Sequence, residues 1–496
     1  MILLLISLFC GIHCENWAVV VAGSFGDNNY RHQSDVYHAF QILKNTGFDD
    51  DHLIVMAYDD IATIKKNRYK GRIFNNPTGV NVYPGSRYIH YKGKSVSAQR
   101  FLDVLSGNET AAGGKVVKST EKDNIFVFFS DHGSNKRLTF PGGGLYANDL
   151  FETLKSMHEK KQYNKILFYI EACYSGSMFQ DILPDNWNIF AVTAANPTES
   201  SWASYCGAEE YDQMCLGDEM ACSWMEDLEA EGTLEGLNTK LGQPVKRQTA
   251  VMVEKTTLSH VQMYGQKDIQ DMMLGEFLTQ NWKKKANTEE SDEVMPDTPD
   301  RSAARKDAES DIGRRTNLSQ FPFLSSTILA SHRPVRQNPP HTHFKPIDSP
   351  SFETVPQALG YLAHLHSLAE SNSPHAADAR ADLKDEYKKI GRAEQRTERL
   401  VQSIVAHNQH NMHRFAHNMT TESLSWKLVK ENGINWAGMK KWKNAVTTFE
   451  EICGDFDDYS LNPQLRVIGN AVRLGLLEDN EAARQWWRRE VRTICR

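Results

Sequence analysis

A cysteine at the end of a buried strand is the residue of this chain best suited to nucleophilic chemistry. Ile166 to Ile170 is continuously apolar, as in a strand covered on both faces, and it opens onto Glu171, Cys173 and the turn Tyr174-Ser175-Gly176-Ser177. Reacting groups gather at the carboxyl ends of strands in α/β sheets, so a thiol there has a use that one inside a helix lacks. The competing reading from this stretch alone is an inert buried thiol, since free Cys is among the most buried side chains. A second apolar run, Asn124 to Ser130, ends in Asp131-His132-Gly133 and supplies an imidazole at the same end of the sheet. A thiol becomes an effective nucleophile when an imidazole takes its proton or stabilises its thiolate. Gly133, with no side chain, lets a backbone N–H approach a substrate carbonyl, and with the N–H of Cys173 it is the expected oxyanion hole.

The segments AGSFGDNNYRHQSD (22–35), VMAYDDIA (55–62), FFSDHGS (128–134), FYIEACYSGSM (168–178), VTAANPTESS (192–201), CLGD (215–218) and SHVQMYG (259–265) occur in order. Together they resemble the legumain family of asparaginyl endopeptidases. The resemblance implies a caspase-like, mostly parallel six-stranded sheet flanked by helices, with Cys173 as nucleophile, His132 as base and Asn29 as its orienter. It places Arg31, Glu171 and Asp218 in the pocket for the residue before the scissile bond, with His32, Ser200 and Ser201 nearby. An Asn side chain offers one acceptor and one donor, so a selective pocket needs a cation beside carboxylates. Without the resemblance, Arg31 reads as a surface cation and Asp218 as a helix cap. Tyr174 departs from the polar or acidic residue of many relatives. The resemblance implies no cofactor and no metal; cystatin-type inhibitors and the chain's own C-terminal domain join protein substrates as expected partners.

The elements that must position these groups follow in alternation. Trp17 to Gly23 reads as the first strand; the next helix buries Val36, Phe40 and Leu43 and stops at Gly47. Leu53 to Tyr58 and Asn188 to Thr193 read as strands. Ser97 caps a helix carrying Phe101, Leu102 and Leu105, and a later helix buries Leu150, Leu154 and Met157. Gly142-Gly143-Gly144 lacks the GK[ST] of a phosphate loop and reads as a flexible loop.

The 496 residues divide into a signal peptide (1–14), a catalytic domain (15–282), a charged, Pro-interrupted disordered linker (283–350) and an all-α prodomain (351–496). In the resembled family that last domain covers the active site until acid pH releases it. A net charge of −7 argues against a nucleic-acid partner, and no stretch outside the signal is long and apolar enough to span a membrane. A secretory route, to a lysosome, a vacuole or the outside, permits disulfides. Cys206 is paired with Cys215 and Cys453 with Cys495, leaving Cys173 free and Cys222 as a buried thiol. The sequons at Asn108, Asn317 and Asn418 fit that route. His407, His410, His413 and His417 partly share one helix side and suit a solvated helix better than zinc.

The expected activity is therefore a cysteine endopeptidase cutting after Asn, and after Asp at acid pH, through a thioester, made as an acid-activated zymogen. Self-cleavage is expected after Asn287 or Asn372, and attraction between the two domains is expected most where Glu171, Asp218 and neighbouring carboxylates face basic prodomain residues. The alternatives are a peptide ligase, in which an amine attacks the same thioester, and a silent homologue acting as an inhibitor or binding module. The catalytic subunit of GPI transamidase has a similar core but carries a membrane anchor.

Overall fold

In the computed structural model the described residues are 15–207, 211, 214–280, 282, 353–356, 360–370, 376–408, 424–425, 427–428, 438–454 and 461–495. The expected signal peptide, the linker, Asn317, Asn418, His410, His413, His417 and both proposed cut sites lie outside them.

Strands β1 (Trp17–Ala22), β2 (Leu53–Met56) and β3 (Asn124–Ser130) form one side of the main sheet. A small hairpin sheet of β4 (Gly133–Ser134), β5 (Arg137–Phe140) and β6 (Gly143–Tyr146) follows. The main sheet is completed by β7 (Lys165–Glu171), β8 (Ile189–Thr193) and, after β9 (Trp202–Cys206) and β10 (Gly217–Asp218), by β11 (Gln262–Gly265). Its order is β11-β8-β7-β3-β1-β2 across six strands. All the pairings are parallel except β11 on β8. This is the expected α/β sheet, and the reason is legible in its strands: every residue of β1 and β3 is buried, so neither face tolerates an alternating polar pattern.

The flanking helices are α1 (Tyr30–Asn45), α2 (Ala98–Leu105), α3 (Glu109–Ala112), α4 (Ala147–Glu159), α5 (Glu219–Glu229), α6 (Leu234–Leu241), α7 (Val245–Lys255) and α8 (Gly275–Leu278). One face of the sheet packs Val19, Val127 and Phe168 with Phe101, Leu150 and Leu154; the other packs Val20, Phe128 and Tyr169 with Val36, Trp224 and Met252. Ser97 caps α2 by accepting from the Arg100 N–H, as expected. Exposed Asn108 caps α3.

The glycine run is not a loop throughout. Gly143 and Gly144 pair with Phe140 and Thr139 in β6, because Arg137 lies where a side chain at 144 would stand; an added Cβ would come within 2.3 Å of its Nε.

The region after 351 also begins differently from expectation. Before any helix, β12 (Glu353–Pro356) joins β9 antiparallel, making a three-stranded sheet β10-β9-β12. Helices α9 (Gly360–Glu370), α10 (Ala376–Asn408), α11 (Met439–Cys453), α12 (Leu461–Arg473) and α13 (Glu481–Ile494) then follow. Leu362, Leu365 and Leu368 are buried as the sequence predicts. Disulfides join Cys206 to Cys215 and Cys453 to Cys495, while Cys173 and Cys222 are free and buried. Trp442 of α11 meets Tyr146 edge-on at 5.4 Å, which carries the apolar core of the helices into that of the sheet. Exposed His407 stacks on half-buried Trp486 at 3.7 Å, at the solvated side of the helices.

Candidate active site

Strand register alone brings the reacting pair together. Ser130 of β3 is the Cα partner of Glu171 of β7, and Asp131 N–H still donates to the Glu171 carbonyl at 3.1 Å. His132 and Cys173 each lie two residues past that last rung, so they leave the sheet at one height on adjacent strands. The backbones there are in close contact. A Cβ built on Gly133 would fall 2.2 Å from the Cys173 carbonyl oxygen and 3.1 Å from the Ala172 side chain, so only glycine fits.

The imidazole has one definite tautomer. Its Nε2 lies 2.8 Å from Asn29 Oδ1, while Asn29 Nδ2 donates to the Phe25 carbonyl at 3.0 Å. Asn29 Oδ1 is thus an acceptor, His132 Nε2 carries the hydrogen, and Nδ1 is left as the basic nitrogen. Burial, then the neighbouring Arg31 charge, hold His132 well below the usual histidine range. Burial pushes the Cys173 thiol up against hydrogen bonds from Ser200 and Ser201 that favour its thiolate. Ser201 Oγ lies 3.8 Å from Sγ, and the thiol faces the Ser201 carbonyl at 3.9 Å. Both directions favour a neutral imidazole and a neutral thiol.

The pocket residues named from the sequence also converge, all of them buried. Arg31 Nε donates to Asp218 Oδ1 at 2.9 Å, and Arg31 Nη1 to the Asn28 carbonyl at 3.0 Å. Glu171 Oε2 accepts from Ala221 N–H at 3.0 Å, and a side-chain hydrogen bond ties Glu171 to Ser201. His32 Nδ1 lies 2.7 Å from Ser24 Oγ and 3.1 Å from Asp131 Oδ1. Burial, then Arg31, then His132 hold its pKa well below the ordinary value, and its ring meets the His132 imidazole edge-on at 4.8 Å. Ser201 thus touches both the thiol and Glu171.

Some participants were not singled out from the sequence. Asp35 and Ser130 touch Asp218, Asn75 donates to Asp35, and Asp131 faces His32. Asp35 follows Arg31 by one helical turn, the single sequence signal that points to it; Asn75 comes from a loop with no such signal.

His32, Asp131 and His132 present ligand atoms within 4.8 Å of one another. Zinc holds its ligands roughly 2 Å away in a tetrahedron, which needs donors about 3–4 Å apart with free lone pairs. Here His132 Nε2 is committed to Asn29 and His32 Nδ1 to Ser24 and Asp131, so the cluster fits a hydrogen-bonded base better than a metal.

Residues 16–281 match the peptidase C13 family model. A hemoglobinase of Schistosoma japonicum is 42% identical over 281 residues, covering 57% of this chain and 64% of that protein. Human legumain is 42% identical over 278 residues, covering 55% of this chain and 61% of its own. The Arabidopsis thaliana vacuolar-processing enzyme delta-isozyme is 43% identical over 275 residues, covering 53% and 58%. The matches thus span less than two thirds of these relatives' lengths. Caspase-1 of Spodoptera frugiperda, a solved structure, aligns over 51% of this chain and 86% of its own at 11% identity and a TM-score of 0.31, too low to carry the fold assignment, which rests on the sheet itself. With more than half its length inside the matching family model, and with Cys173 and His132 set side by side by register, the chain belongs to the peptidase C13 family.

Proposed function

We propose that the protein is a cysteine endopeptidase that hydrolyses peptide bonds after Asn, and after Asp as pH falls. The observation that carries this is the shared rung Ser130–Glu171, which sets His132 and Cys173 beside a buried cation–carboxylate pair, Arg31–Asp218. In the proposed cycle His132 Nδ1 takes the thiol proton as sulfur attacks the carbonyl carbon. The oxyanion meets the N–H groups of Gly133 and Cys173. Collapse breaks the C–N bond, His132 returns the proton to the leaving amine, and water hydrolyses the thioester with His132 again as base. The Asn carbonyl oxygen would accept from Arg31 and its amide donate to Glu171 or Asp218.

The same reading takes the present state as a precursor. Strand β12 occupies the edge of β9, next to Ser200 and Ser201, where an extended peptide would pair. The helices add ion pairs across the join: Arg137 to Glu450 at 2.6 Å, Lys443 to Asp149 at 2.7 Å, and Lys66 to Asp382 at 2.8 Å. Arg466 also donates to the Tyr174 hydroxyl at 3.3 Å. This differs from the attraction expected at Glu171 and Asp218. Their carboxylates point to Ala221 and Arg31, and in the Arg137 pair the cation belongs to the sheet and the acid to the helix. On this reading acid loosens the join between the helices and the sheet. A lysosomal or vacuolar compartment would supply that acid, in keeping with the vacuolar-processing relative.

The test is incubation of purified full-length protein at neutral and acid pH beside Cys173→Ala, with an Asn-directed covalent probe. Acid-dependent cleavage and labelling at Cys173 are expected. A precursor that stays intact and unlabelled at acid pH would overturn the reading.

A further inference from the structure

Two of the quoted motifs, 192–201 and 259–265, give the cycle above no reacting group, yet they meet at one buried carboxylate. Glu199, in the loop between β8 and β9, is 3% exposed. Its Oε1 accepts from the Asn196 N–H at 2.9 Å and from the His260 N–H at 2.8 Å, and its Oε2 meets His260 Nδ1 at 2.9 Å. His260 stands just before β11, so this one side chain pins the β8–β9 loop to the strand at the sheet edge. Ser259 adds a second pin, donating from Oγ to the Ala194 carbonyl at 2.6 Å.

The same loop is also fastened to the turn that carries the nucleophile. The Glu199 carbonyl accepts from the Tyr174 N–H at 2.8 Å, and the Ala195 carbonyl accepts from the Gly176 N–H at 3.0 Å. The Ala195 N–H donates to Ser175 Oγ at 3.2 Å. Tyr174 is held at φ 56°, a conformation that persists in a tyrosine only where the surroundings impose it. Immediately after Glu199 come Ser200 and Ser201, the second with its Oγ 3.8 Å from Cys173 Sγ. A shift at 199 therefore reaches Cys173 from two directions, through the turn that follows it and through the serine that faces it.

We propose that Glu199 is a positioning residue for the reaction. Its carboxylate, clamped on His260, fixes the carbonyl that holds Tyr174 left-handed, and so fixes where the Cys173 thiol stands. This rests on the thiol chemistry of the proposed cycle and not on the preference for Asn. Arg31 and Asp218 come from α1 and β10, so loosening the clamp leaves that pair in place. The loss should fall on kcat rather than KM, by up to about 10²-fold for a misplacement of roughly 1 Å. Reach matters more than charge in such a clamp. Glu199→Gln keeps an acceptor for both N–H groups, and its amide can donate to His260 Nδ1 in the ring's other tautomer. Glu199→Asp keeps the charge but is one methylene too short.

The test compares wild type, Glu199→Gln, Glu199→Asp, Glu199→Ala, His260→Ala and Glu199→Ala/His260→Ala as acid-activated full-length enzyme. It measures kcat and KM for an Asn peptide and the second-order rate of Cys173 alkylation by iodoacetamide, with alkylated Cys173 counted by mass spectrometry to normalise kcat. Expected is a kcat that falls from wild type through Glu199→Gln to Glu199→Asp and Glu199→Ala, with KM within about threefold throughout. The alkylation rate should follow the same order, and the double variant should be no slower than Glu199→Ala. A wild-type kcat in Glu199→Ala, a loss confined to KM, Glu199→Asp faster than Glu199→Gln, or losses that multiply in the double variant would each overturn the proposal. If Glu199→Ala does not fold, Glu199→Gln against Glu199→Asp and the loss of the partly exposed His260 ring decide it, and wild-type kcat in His260→Ala overturns it. If wild type is alkylated at Cys173 but does not cut after Asn, the Asn-directed reading falls and the alkylation rates alone decide the role of Glu199. A wild type that is neither alkylated nor active defeats both.

Discussion

At the scale of single residues, the site depends on groups that are buried and close to neutral. Asn29 fixes the His132 tautomer through one 2.8 Å hydrogen bond. Asn29→Ala should therefore lower kcat by a large part of the roughly 10²–10⁴ that a positioned base contributes, with KM nearly unchanged. Steady-state kinetics decide it: a kcat within a factor of two of wild type would remove Asn29 from the machinery. Gly133→Ala is expected to abolish turnover while Cys173→Ala does so with folding intact, because the added Cβ meets the Cys173 carbonyl at 2.2 Å whereas the smaller side chain at 173 merely leaves space. Comparing the two by circular dichroism and probe labelling separates backbone displacement from loss of the nucleophile. Tyr174 carries a related constraint. It holds φ 56°, a left-handed conformation that tyrosine rarely adopts, in the turn immediately after the nucleophile.

At the scale of elements, the β5–β6 hairpin and α11 hold the most buried ion pair of the join between sheet and helices. Arg137 is 2% exposed and its partner Glu450 12%, so this pair is far less screened than Lys66–Asp382, whose partners are 42% and 39% exposed. Glu450→Gln takes the carboxylate from a buried guanidinium and should weaken the join by about 3 kcal/mol; Asp382→Asn should cost well under 1 kcal/mol. On the precursor reading, Glu450→Gln should be processed faster and at higher pH than wild type, and Asp382→Asn at the wild-type rate. Gel-resolved processing across pH would contradict this arrangement if the two variants behaved alike.

At the scale of the whole molecule, two sets of buried groups pull the pH dependence of stability in opposite directions. His32 and His132 have lowered native values, so the unfolded chain binds their protons more readily. Their contribution is present above about 6.5, the ordinary histidine value, and is lost as pH falls below it. Asp35 and Glu171 have raised native values. Their contribution is present below about 4 and is lost as pH rises through the native values. Glu171→Gln should therefore flatten the fall in melting temperature on the alkaline side of Cys173→Ala while leaving the acid limb unchanged. Scanning calorimetry across pH would reject this if the alkaline slope were the same in both chains.

By itself the sequence determined the strands and that His132 and Cys173 follow their carboxyl ends. Runs such as Ile125 to Phe129 and Ile166 to Ile170 have only one stable use in a soluble fold, the interior of a sheet, and whatever follows them must emerge at its rim. The quoted motifs added the pocket set Arg31, Glu171 and Asp218. What only the tertiary structure decided is which groups meet across long separations. Asp35 reaches the Asp218 N–H because α1 crosses the sheet end beside β10, and Asn75, from a loop without periodicity, reaches Asp35 in turn. Strand β12 escaped notice because four residues that pair through their backbones leave little trace in side-chain type. Gly144 read as part of a loop because the guanidinium that excludes a larger residue there is Arg137, on the neighbouring strand. The direction of the Arg137–Glu450 pair could not be foreseen from net charge either, since charge totals carry no information on which residues face one another.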